Sequence, residues 1–266
     1  MNILDTIVEN KRVEILKRRR KRPVSNLKTF AGYGGKTNAI DVRGLGERPG
    51  IIAEFKRRSP SRGSINAYAD PVTVAGGYRE AGAVAMSILT DRSFFGGSFR
   101  DLLDVRLAYP DLVLLRKDFI IDPYQIHESS AYGADMVLLI AAILDRRQVE
   151  DLALEAQALG LQVLFEVHDR EDLDKYHPSI SFVGVNNRDL KTFRVDTGRS
   201  TELIRHLPAG VIPVSESGIG STGDMKTLRK AGFRLFLVGE RLMAQKDPGA
   251  ACRELIGQMM NEWTDH

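Results

Sequence analysis

The sequence is poor in the features that cross-link a chain, anchor it in a membrane or export it. Its one cysteine, Cys252, excludes an internal disulfide and a thiolate metal cluster. No apolar run reaches the roughly 18–20 residues of a membrane span, and the N-terminus lacks the apolar core of a signal peptide. With 43% hydrophobic and 27% charged residues, the chain is typical of a soluble globular protein. We therefore expect a protein of the reducing cytoplasm.

Positive charge is concentrated near the N-terminus. Residues 1–49 carry 12 Lys and Arg against 5 Asp and Glu, whereas the remainder carries 26 against 30. Much of the excess lies in Lys11, Arg12 and residues 17–22, which interleave with apolar residues at helical spacing. Such a run can mark a nucleic-acid or membrane-surface contact. We favour a basic amphipathic helix that lies on the main domain with its charges solvated, and expect neither nucleic acid nor membrane as a partner.

From residue 50 onward, short apolar runs alternate with longer helical patterns. Eight runs of Val, Ile and Leu predict strands whose starts are about 20–33 residues apart, the length of a βα repeat. Continuous apolar runs of this kind suit a parallel sheet that is covered on both faces. The predicted strands are residues 51–55, 84–89, 112–115, 136–140, 163–167, 182–185, 211–214 and 235–238.

Helix signals lie between these strands: Asp or Ser at the cap, Pro in the first turn and Gly after the end. The predicted helices are residues 71–82, 123–132, 145–159, 169–176, 221–231 and 248–263. The pattern predicts one domain over 1–266, with a (β/α)8 TIM barrel over 50–263 and an N-terminal helix and connection over 1–49. A doubly wound sheet is the alternative, but residues 59–63 (Ser-Pro-Ser-Arg-Gly) are not its glycine-rich dinucleotide turn.

Charged and amide side chains gather at the carboxyl ends of the predicted strands, where barrels of this class carry their active sites. Glu54 and Lys56 share one face of the first strand, and burying them without a use would be costly. Taken singly, each later residue could be a surface pair, a helix cap or a turn. Together at one end of the barrel they indicate an active site. These later residues are Lys117, Glu166, Asn186, Arg188 and Glu216.

The loops after the last two strands are rich in glycine. Residues 217–220 (Ser-Gly-Ile-Gly) and Gly239 can present backbone N–H groups, with helix N-termini behind them. A glycine-rich loop alone is weak evidence, but here two stand at adjacent barrel positions. The sequence therefore predicts a phosphorylated small-molecule substrate.

With these residues identified, the chain resembles the indole-3-glycerol-phosphate synthases of tryptophan biosynthesis, in their monofunctional form. The resemblance covers residues 1–263, including the N-terminal helix, and departs from the family pattern at Arg62, where lysine is frequent. The matching segments are IAEFKRRSPSRG (52–63), SILTD (87–91), FFGGS (94–98), LRKDFIIDPYQI (115–126), GADMVLLI (133–140), EVH (166–168), GVNNRDL (184–190), SESGI (215–219) and LVGERLM (237–243).

This resemblance implies that 1-(2-carboxyphenylamino)-1-deoxyribulose 5-phosphate is closed to indole-3-glycerol phosphate with loss of CO2 and water, without cofactor or metal. It also implies that Lys117 is the general acid and Glu166 the base, with Lys56 assisting the second proton transfer. The residues expected to orient the lysines and the hydroxyls of the intermediate are Glu54, Asn186 and Glu216.

The resemblance further implies a set of substrate-binding residues. Arg188 and Ser59 suit the carboxylate of the substrate, and Phe119 suits its aromatic ring. The remaining residues lie within the last predicted strand or shortly after the last two strands, and they are Ser217, Gly218, Leu237, Gly239 and Glu240. We expect a monomer or a weak homo-oligomer.

Two other functions remain open from the residues. A Schiff-base aldolase on the same barrel would use Lys117 as its nucleophile, although the acidic neighbours favour a charged lysine. A nucleic-acid-binding role for the basic helix would show strongly salt-dependent binding of unrelated duplexes. Neither alternative accounts for the full set of strand-end residues.

Overall fold

The predicted barrel is present in a computed structural model that describes residues 3–46, 48–189 and 194–264. Eight parallel strands pair in sequence order, and the last strand pairs with the first, so that the barrel closes. These strands, named β1 to β8, are Gly50–Phe55, Ala85–Leu89, Leu114–Lys117, Met136–Ile140, Gln162–Val167, Phe182–Asn186, Ile212–Glu216 and Leu235–Val238. Leu190, the last residue of the GVNNRDL segment, lies outside the described residues.

Helices surround the barrel, and a short hairpin of Arg58–Ser59 with Gly63–Ser64 follows β1. Short 3-10 turns occupy Ala141–Ile143 and Ile204–His206. The α-helices, named α1 to α12, are Ile3–Lys21, Val24–Leu27, Pro71–Ala81, Arg92–Phe95, Phe99–Ala108, Pro123–Ala131, Arg146–Ala158, Arg170–Leu173, Gly198–Leu203, Thr222–Ala231, Glu240–Met243 and Pro248–Thr264.

The predicted helix caps make the expected hydrogen bonds. Asp70 accepts from the Thr73 N–H at the start of α3, and Gly82 ends that helix in the left-handed conformation with φ of 89°. Asp145 forms a reciprocal capping box with Gln148 at the start of α7. These local signals explain why five of the six helices predicted between the strands have boundaries within one or two residues of the prediction.

Besides the short helices α2, α4, α9 and α11, which were not predicted, three elements differ from the prediction. The third strand was expected at 112–115 but runs over Leu114–Lys117, so Lys117 is a strand residue and not part of the following loop. Helix α5 was not predicted, because it has neither proline in its first turn nor glycine at its end. Helix α8 ends at Leu173, shorter than the expected 169–176.

The strands separate two apolar layers. Ile51, Ala53 and Phe55 of β1 pack among the helices, whereas Ile52 points into the barrel. Leu4 of α1 and Ile7, one turn later, join the interior cluster, so the N-terminal helix contributes to the barrel core. The predicted extension is therefore packed against the barrel.

Two arginines of the basic run of α1 pack against aromatic rings of α5 and α6. The Arg18 guanidinium lies 5.2 Å from the Phe99 ring centroid, and Arg19 lies 5.4 Å from that of Tyr124. The prediction of solvated charges is wrong for Lys11, whose exposed fraction is 0%. Within the described ranges, no helix is long and apolar enough to cross a membrane.

The closure of the barrel brings α3 and α12 into close contact. A Cβ placed on Gly77 would lie 2.7 Å from the Gly249 Cα, and one placed on Gly249 would lie 2.8 Å from the Gly77 Cα. Both clashes are with backbone, which cannot rotate away. Glycine at these positions therefore sets the distance between α3, which precedes β2, and α12.

We expect Gly77→Ala to lower the free energy of unfolding by about 1–3 kcal/mol, because the added methyl group forces two helix backbones apart. Gly257→Ala is the matched control in α12, since its Cβ would have no atom within 4 Å. That control should instead stabilise the helix by about 0.5–1 kcal/mol. Urea unfolding at equilibrium measures both, and equal effects of the two substitutions would contradict the close-packing argument.

Candidate active site

A cavity of about 820 Å³ opens at the carboxyl ends of the strands. This volume suits a small-molecule site. The closed barrel brings together residues that lie far apart in the chain, as the strand-end pattern predicts. All of the predicted site residues line the cavity: Glu54, Lys56, Ser59, Lys117, Phe119, Glu166, Asn186, Arg188, Glu216, Ser217, Gly218, Leu237, Gly239 and Glu240.

An apolar wall completes the cavity, and Phe119 is the one residue of this wall to which the sequence assigned a role. Phe95 and Phe119 face each other with ring centroids 6.0 Å apart at an angle of 38°. Leu89, Leu138 and Ile140 line the same cavity at the ends of β2 and β4. These apolar residues could not be distinguished from ordinary core residues by sequence. Their surface suits a flat aromatic group.

The Lys117 ammonium is the centre of the polar part of the cavity. Its Nζ lies 3.1 Å from Glu166 Oε2 and 3.2 Å from Glu216 Oε2. Burial alone would lower the pKa of Lys117, but Glu216, Glu166 and Glu54 outweigh burial and raise that pKa above its ordinary value. Lys117 therefore carries a proton at neutral pH and is held at a defined position between two strands.

The two carboxylates that contact Lys117 differ in protonation. Burial raises the pKa of Glu166, but the charges of Lys117 and His168 and a 3.1 Å hydrogen bond from Asn186 Nδ2 bring it below its ordinary value. Burial raises the pKa of Glu216 to about 7, because Lys117 offsets only part of this cost and Glu166 adds to it. Glu166 is thus ionised at neutral pH, while Glu216 can exchange a proton there.

His168, which the sequence analysis placed in a matching segment without a role, lies beside this pair. Its Nε2 is 3.5 Å from Glu166 Oε1, and its Nδ1 is 3.8 Å from Asp172 Oδ2. Burial lowers the pKa of His168, but Asp172 and Glu166 together raise it above its ordinary value. The imidazole thus adds positive charge next to Glu166.

Glu54 and Lys56 form a second ion pair on β1 and just beyond its end. Lys56 Nζ donates to Glu54 Oε1 over 2.6 Å. Burial raises the pKa of Glu54, but Lys56 and Lys117 lower it below its ordinary value. The predicted neighbours on one strand face therefore form a pair at the edge of the same cavity.

Two glycines make room for these carboxylates. A Cβ on Gly239 would lie 2.3 Å from Glu54 Oε1, and a Cβ on Gly184 would lie 2.1 Å from Glu216 Oε1. From the sequence, Gly239 is assigned to phosphate binding and Gly184 has no assigned role. Only the packing of neighbouring strands reveals that a side chain at either position would displace a carboxylate of the site.

The loop after β7 has an unusual backbone. Ser217 and Gly218 adopt positive φ angles of 64° and 71°, which is strained for serine. The amide of Asn187, buried behind this loop, donates to the Ser217 carbonyl over 3.0 Å and to Ser215 Oγ over 3.1 Å. In turn, Ser200 Oγ donates to Asn187 Oδ1 over 2.7 Å. Asn187 thus holds the loop in its strained shape.

Arg188 and Glu240 lie on the opposite wall from the apolar residues named above. Arg188 Nη2 is 3.4 Å from Glu240 Oε2, and Arg62 Nε is 2.8 Å from Glu240 Oε1. Ser59 Oγ accepts from the Arg62 N–H over 3.2 Å and lies 3.3 Å from Ser61 Oγ. These groups give the cavity a positively charged rim that can bind an anion.

No cluster of His, Cys, Asp and Glu in the described part of the chain is arranged to hold a metal ion.

The raised pKa of Glu216 predicts a specific dependence of stability on pH. An acid whose folded-state pKa exceeds its unfolded-state pKa stabilises the fold below the unfolded value, and this stability is lost as pH rises through the folded value. For Glu216 the window runs from about pH 4.5 to about pH 7. Glu216→Gln should therefore lose less stability than the parent protein between pH 5 and pH 8.

Urea unfolding at several pH values measures this difference. Glu202→Gln is the control, because Glu202 is an exposed glutamate of α9, and this variant should follow the parent protein at every pH. Parallel curves for Glu216→Gln and the parent protein would show that Glu216 does not titrate in this window.

Comparison with known proteins agrees with this geometry. The sequence profile of the indole-3-glycerol phosphate synthase family matches residues 4–255. Proteins named indole-3-glycerol phosphate synthase from Bacteroides thetaiotaomicron and Azospirillum brasilense are 42% and 44% identical, over 96% of this chain and 98% and 99% of theirs.

Solved structures with low sequence identity share the fold. A 3-hexulose-6-phosphate synthase from Salmonella typhimurium has a TM-score of 0.64 at 13% identity and covers 80% of this chain and 99% of its own. KGPDC from Streptococcus mutans has a TM-score of 0.61 at 12% identity, with 81% and 99% covered. From the profile and the near-full-length relatives, the chain belongs to the indole-3-glycerol phosphate synthase family, the carboxy-lyases of tryptophan biosynthesis.

Proposed function

We propose that the residues at the barrel mouth convert 1-(2-carboxyphenylamino)-1-deoxyribulose 5-phosphate into indole-3-glycerol phosphate, CO2 and water. The observation that carries this proposal is the position of Lys117 Nζ, 3.1 Å from one carboxylate and 3.2 Å from another inside a cavity. A protonated amine at a fixed place is the group that ring closure requires, because the attacked ketone must be polarised. We further propose that the protein acts in the cytoplasm, as a monomer or weak homo-oligomer.

In the first step, the ring carbon that bears the carboxylate forms a bond to the ketone carbon. Lys117 gives its proton to the ketone oxygen, which becomes a hydroxyl group, so negative charge does not build up there. The carboxylate then leaves as CO2, and its bonding electrons return to the ring. The contacts with Glu166 and Glu216 support this role, since they keep Lys117 protonated until the substrate oxygen arrives.

In the second step, the hydroxyl group leaves as water. An acid must protonate that hydroxyl, and a base must remove a proton from the adjacent methylene carbon. Glu166 is ionised and fixed by Asn186, which suits a general base. Lys56 can supply the second proton, with Glu54 holding its ammonium over 2.6 Å. Glu216, with a pKa of about 7, can take up or release a proton between the two steps.

The cavity walls supply a place for each part of this substrate. Phe119 and the apolar wall suit the aromatic ring, and Arg188 with Ser59 suits its carboxylate. The strained turn at Ser217 and Gly218, together with Gly239, suits the phosphate, and Leu237 and Glu240 complete that end. In this arrangement the ketone lies between the two ends, near Lys117.

A Schiff-base aldolase mechanism on the same residues is disfavoured. A nucleophilic lysine must lose its proton, which enzymes achieve by lowering its pKa. The carboxylates around Lys117 raise that pKa instead. Trapping of substrate on Lys117 by borohydride would support the aldolase mechanism and contradict the role of acid.

The direct test of the function is incubation of the purified protein with the carboxyphenylamino-deoxyribulose phosphate. Indole fluorescence should appear, with one CO2 released for each indole formed. Release of CO2 without indole fluorescence, or no turnover at all, would contradict the proposed reaction.

Substitution of the two lysines separates their roles. Lys117→Ala should lower kcat by at least ~10²-fold with little change in KM, because the lost interaction is made mainly in the transition state. Lys56→Ala should also raise KM, since Lys56 contacts an anionic group in the ground state as well. Lys117→Arg should not restore activity, because a guanidinium does not release its proton and has a different shape. A near-normal kcat in Lys117→Ala would show that Lys117 is not the acid and would assign that role to Lys56.

Substitution of Gly239 tests the phosphate end of the cavity. Gly239→Val should raise KM by about 10-fold or more by blocking close approach of the anion. It should also lower kcat, because its Cβ would displace Glu54.

Inorganic phosphate should inhibit the parent protein competitively and inhibit Gly239→Val less. Gly223→Ala in α10, where the added Cβ is 3.5 Å from Ser221 Oγ, is the control. Equal inhibition of all three proteins would place the phosphate elsewhere.

A further inference from the structure

A buried ionic cluster lies at the ends of β2 and β3, and the proposed reaction does not use it. Its centre is Lys11 of α1, whose exposed fraction is 0%. The Lys11 Nζ lies 2.7 Å from Asp91 Oδ2, 2.9 Å from Asp118 Oδ1 and 3.0 Å from Glu14 Oε2. A lysine from the N-terminal helix thus bridges two carboxylates that follow adjacent barrel strands.

Each of these two carboxylates organises its own strand end. Asp91 Oδ1 accepts from the Phe94 N–H over 2.7 Å and caps α4, the helix that carries Phe95. Asp118 Oδ1 accepts from the Phe119 N–H over 2.8 Å, and its Oδ2 accepts from Thr90 Oγ1 over 2.7 Å. Both aspartates therefore hold the backbone next to an aromatic residue of the cavity wall.

Asp118 stands directly between two residues of the active site. Lys117 and Phe119 line the cavity. Asp118 is buried with Arg116, whose Nη2 is 2.9 Å away, and both contact Thr90. Lys11 therefore contacts the residue that directly follows the end of β3, between the two active-site residues. A shift of Asp118 would carry Lys117 and Phe119 with it.

The charges make this bridge strong and costly to break. Burial would lower the pKa of Lys11, but Asp118 and Asp91 raise it above its ordinary value. Among the described residues, Asp91 has no other ion-pair partner, whereas Asp118 also has Arg116. Removing Lys11 would leave the buried Asp91 carboxylate unpaired and would remove the group that ties it to Asp118, so the two strand ends would be free to move apart.

We propose that Lys11 is a positioning residue, which fixes Lys117 and Phe119 for ring closure by tying Asp91 and Asp118 together. This inference rests on the proposed function for its catalytic consequence. Its structural part, the bracing of two strand ends from the N-terminal helix, does not depend on the reaction.

The kinetic test compares two variants of the full chain with the parent protein. Lys11→Met should lower kcat/KM by about 10-fold or more, because small displacements of reacting groups are costly to rate. Ile15→Ala removes a buried side chain of α1 that packs with Leu27 and Tyr124, so it destabilises the same helix without touching the strand ends. It should keep kcat within about 2-fold at a temperature where both variants are folded. Equal losses in the two variants would overturn the positioning role.

Three further variants test whether Lys11 acts through the two carboxylates. Glu14→Gln removes the outer ion pair only and should leave kcat nearly unchanged. Asp118→Asn should lower kcat, and the double variant Lys11→Met with Asp118→Asn should lose no more than the worse single variant, because both break the same bridge. Additive losses in the double variant would show that Lys11 acts by another route.

Hydrogen exchange provides a test that needs no activity. In Lys11→Met, amides of residues 90–97 and 117–121 should exchange faster than in the parent protein, whereas in Ile15→Ala they should not. If Lys11→Met does not fold, Asp91→Asn serves instead, because it keeps an oxygen that can cap α4 while removing the charge. Unchanged exchange at both strand ends would overturn the inference. Absence of turnover in the parent protein would instead contradict the proposed function.

Discussion

The burial of the Lys117 ammonium among carboxylates is the constraint on which the rest of the site depends. A lysine inside a barrel loses its water, so it stays charged only because Glu166 and Glu216 lie within 3.2 Å. The carboxylates in turn are tolerable only because the lysine is there. The three strands that carry them are therefore bound to one relative position, and the second pair of Lys56 with Glu54 extends the same balance across β1. The balance of charges, more than any single hydrogen bond, determines where the charged side chains of this cavity lie.

Much of this arrangement could be predicted from the sequence. Strand ends in a parallel barrel meet at one face, so Glu54, Lys117 and Glu166 had to converge once the repeat was recognised. The burial of a charged residue in the N-terminal helix could not be predicted in this way. Lys11 looks like one more member of a solvated basic stripe, and only tertiary contact with Asp91 and Asp118 reveals that it is buried. Lys11 is 80 residues from Asp91 and 107 residues from Asp118, and an ion pair over such a separation produces no local pattern in the sequence.

The same limit applies to what surrounds the charged groups. Gly184 is ordinary in a strand by sequence, yet its missing side chain provides the space that Glu216 occupies on the neighbouring strand. His168 follows β5 as a polar residue with many possible roles, and its effect on Glu166 depends on a distance of 3.5 Å. Helix α5 and the bounds of β3 were missed for a different reason, because α5 has no proline in its first turn and no glycine at its end, and β3 ends in the charged residues Arg116 and Lys117.

The contact of Gly77 with Gly249 has a consequence for how the chain reaches its final state. The strand that opens the barrel pairs with the strand that closes it, and the helices beside this seam touch through two residues far apart in the chain. A chain emerging from the ribosome can form successive βα units, but β1 cannot pair with β8 until residues 235–238 have been synthesised. Until then β1 has an unpaired edge and the cavity has an open side. The cavity is therefore complete only when the last strand of the barrel is in place.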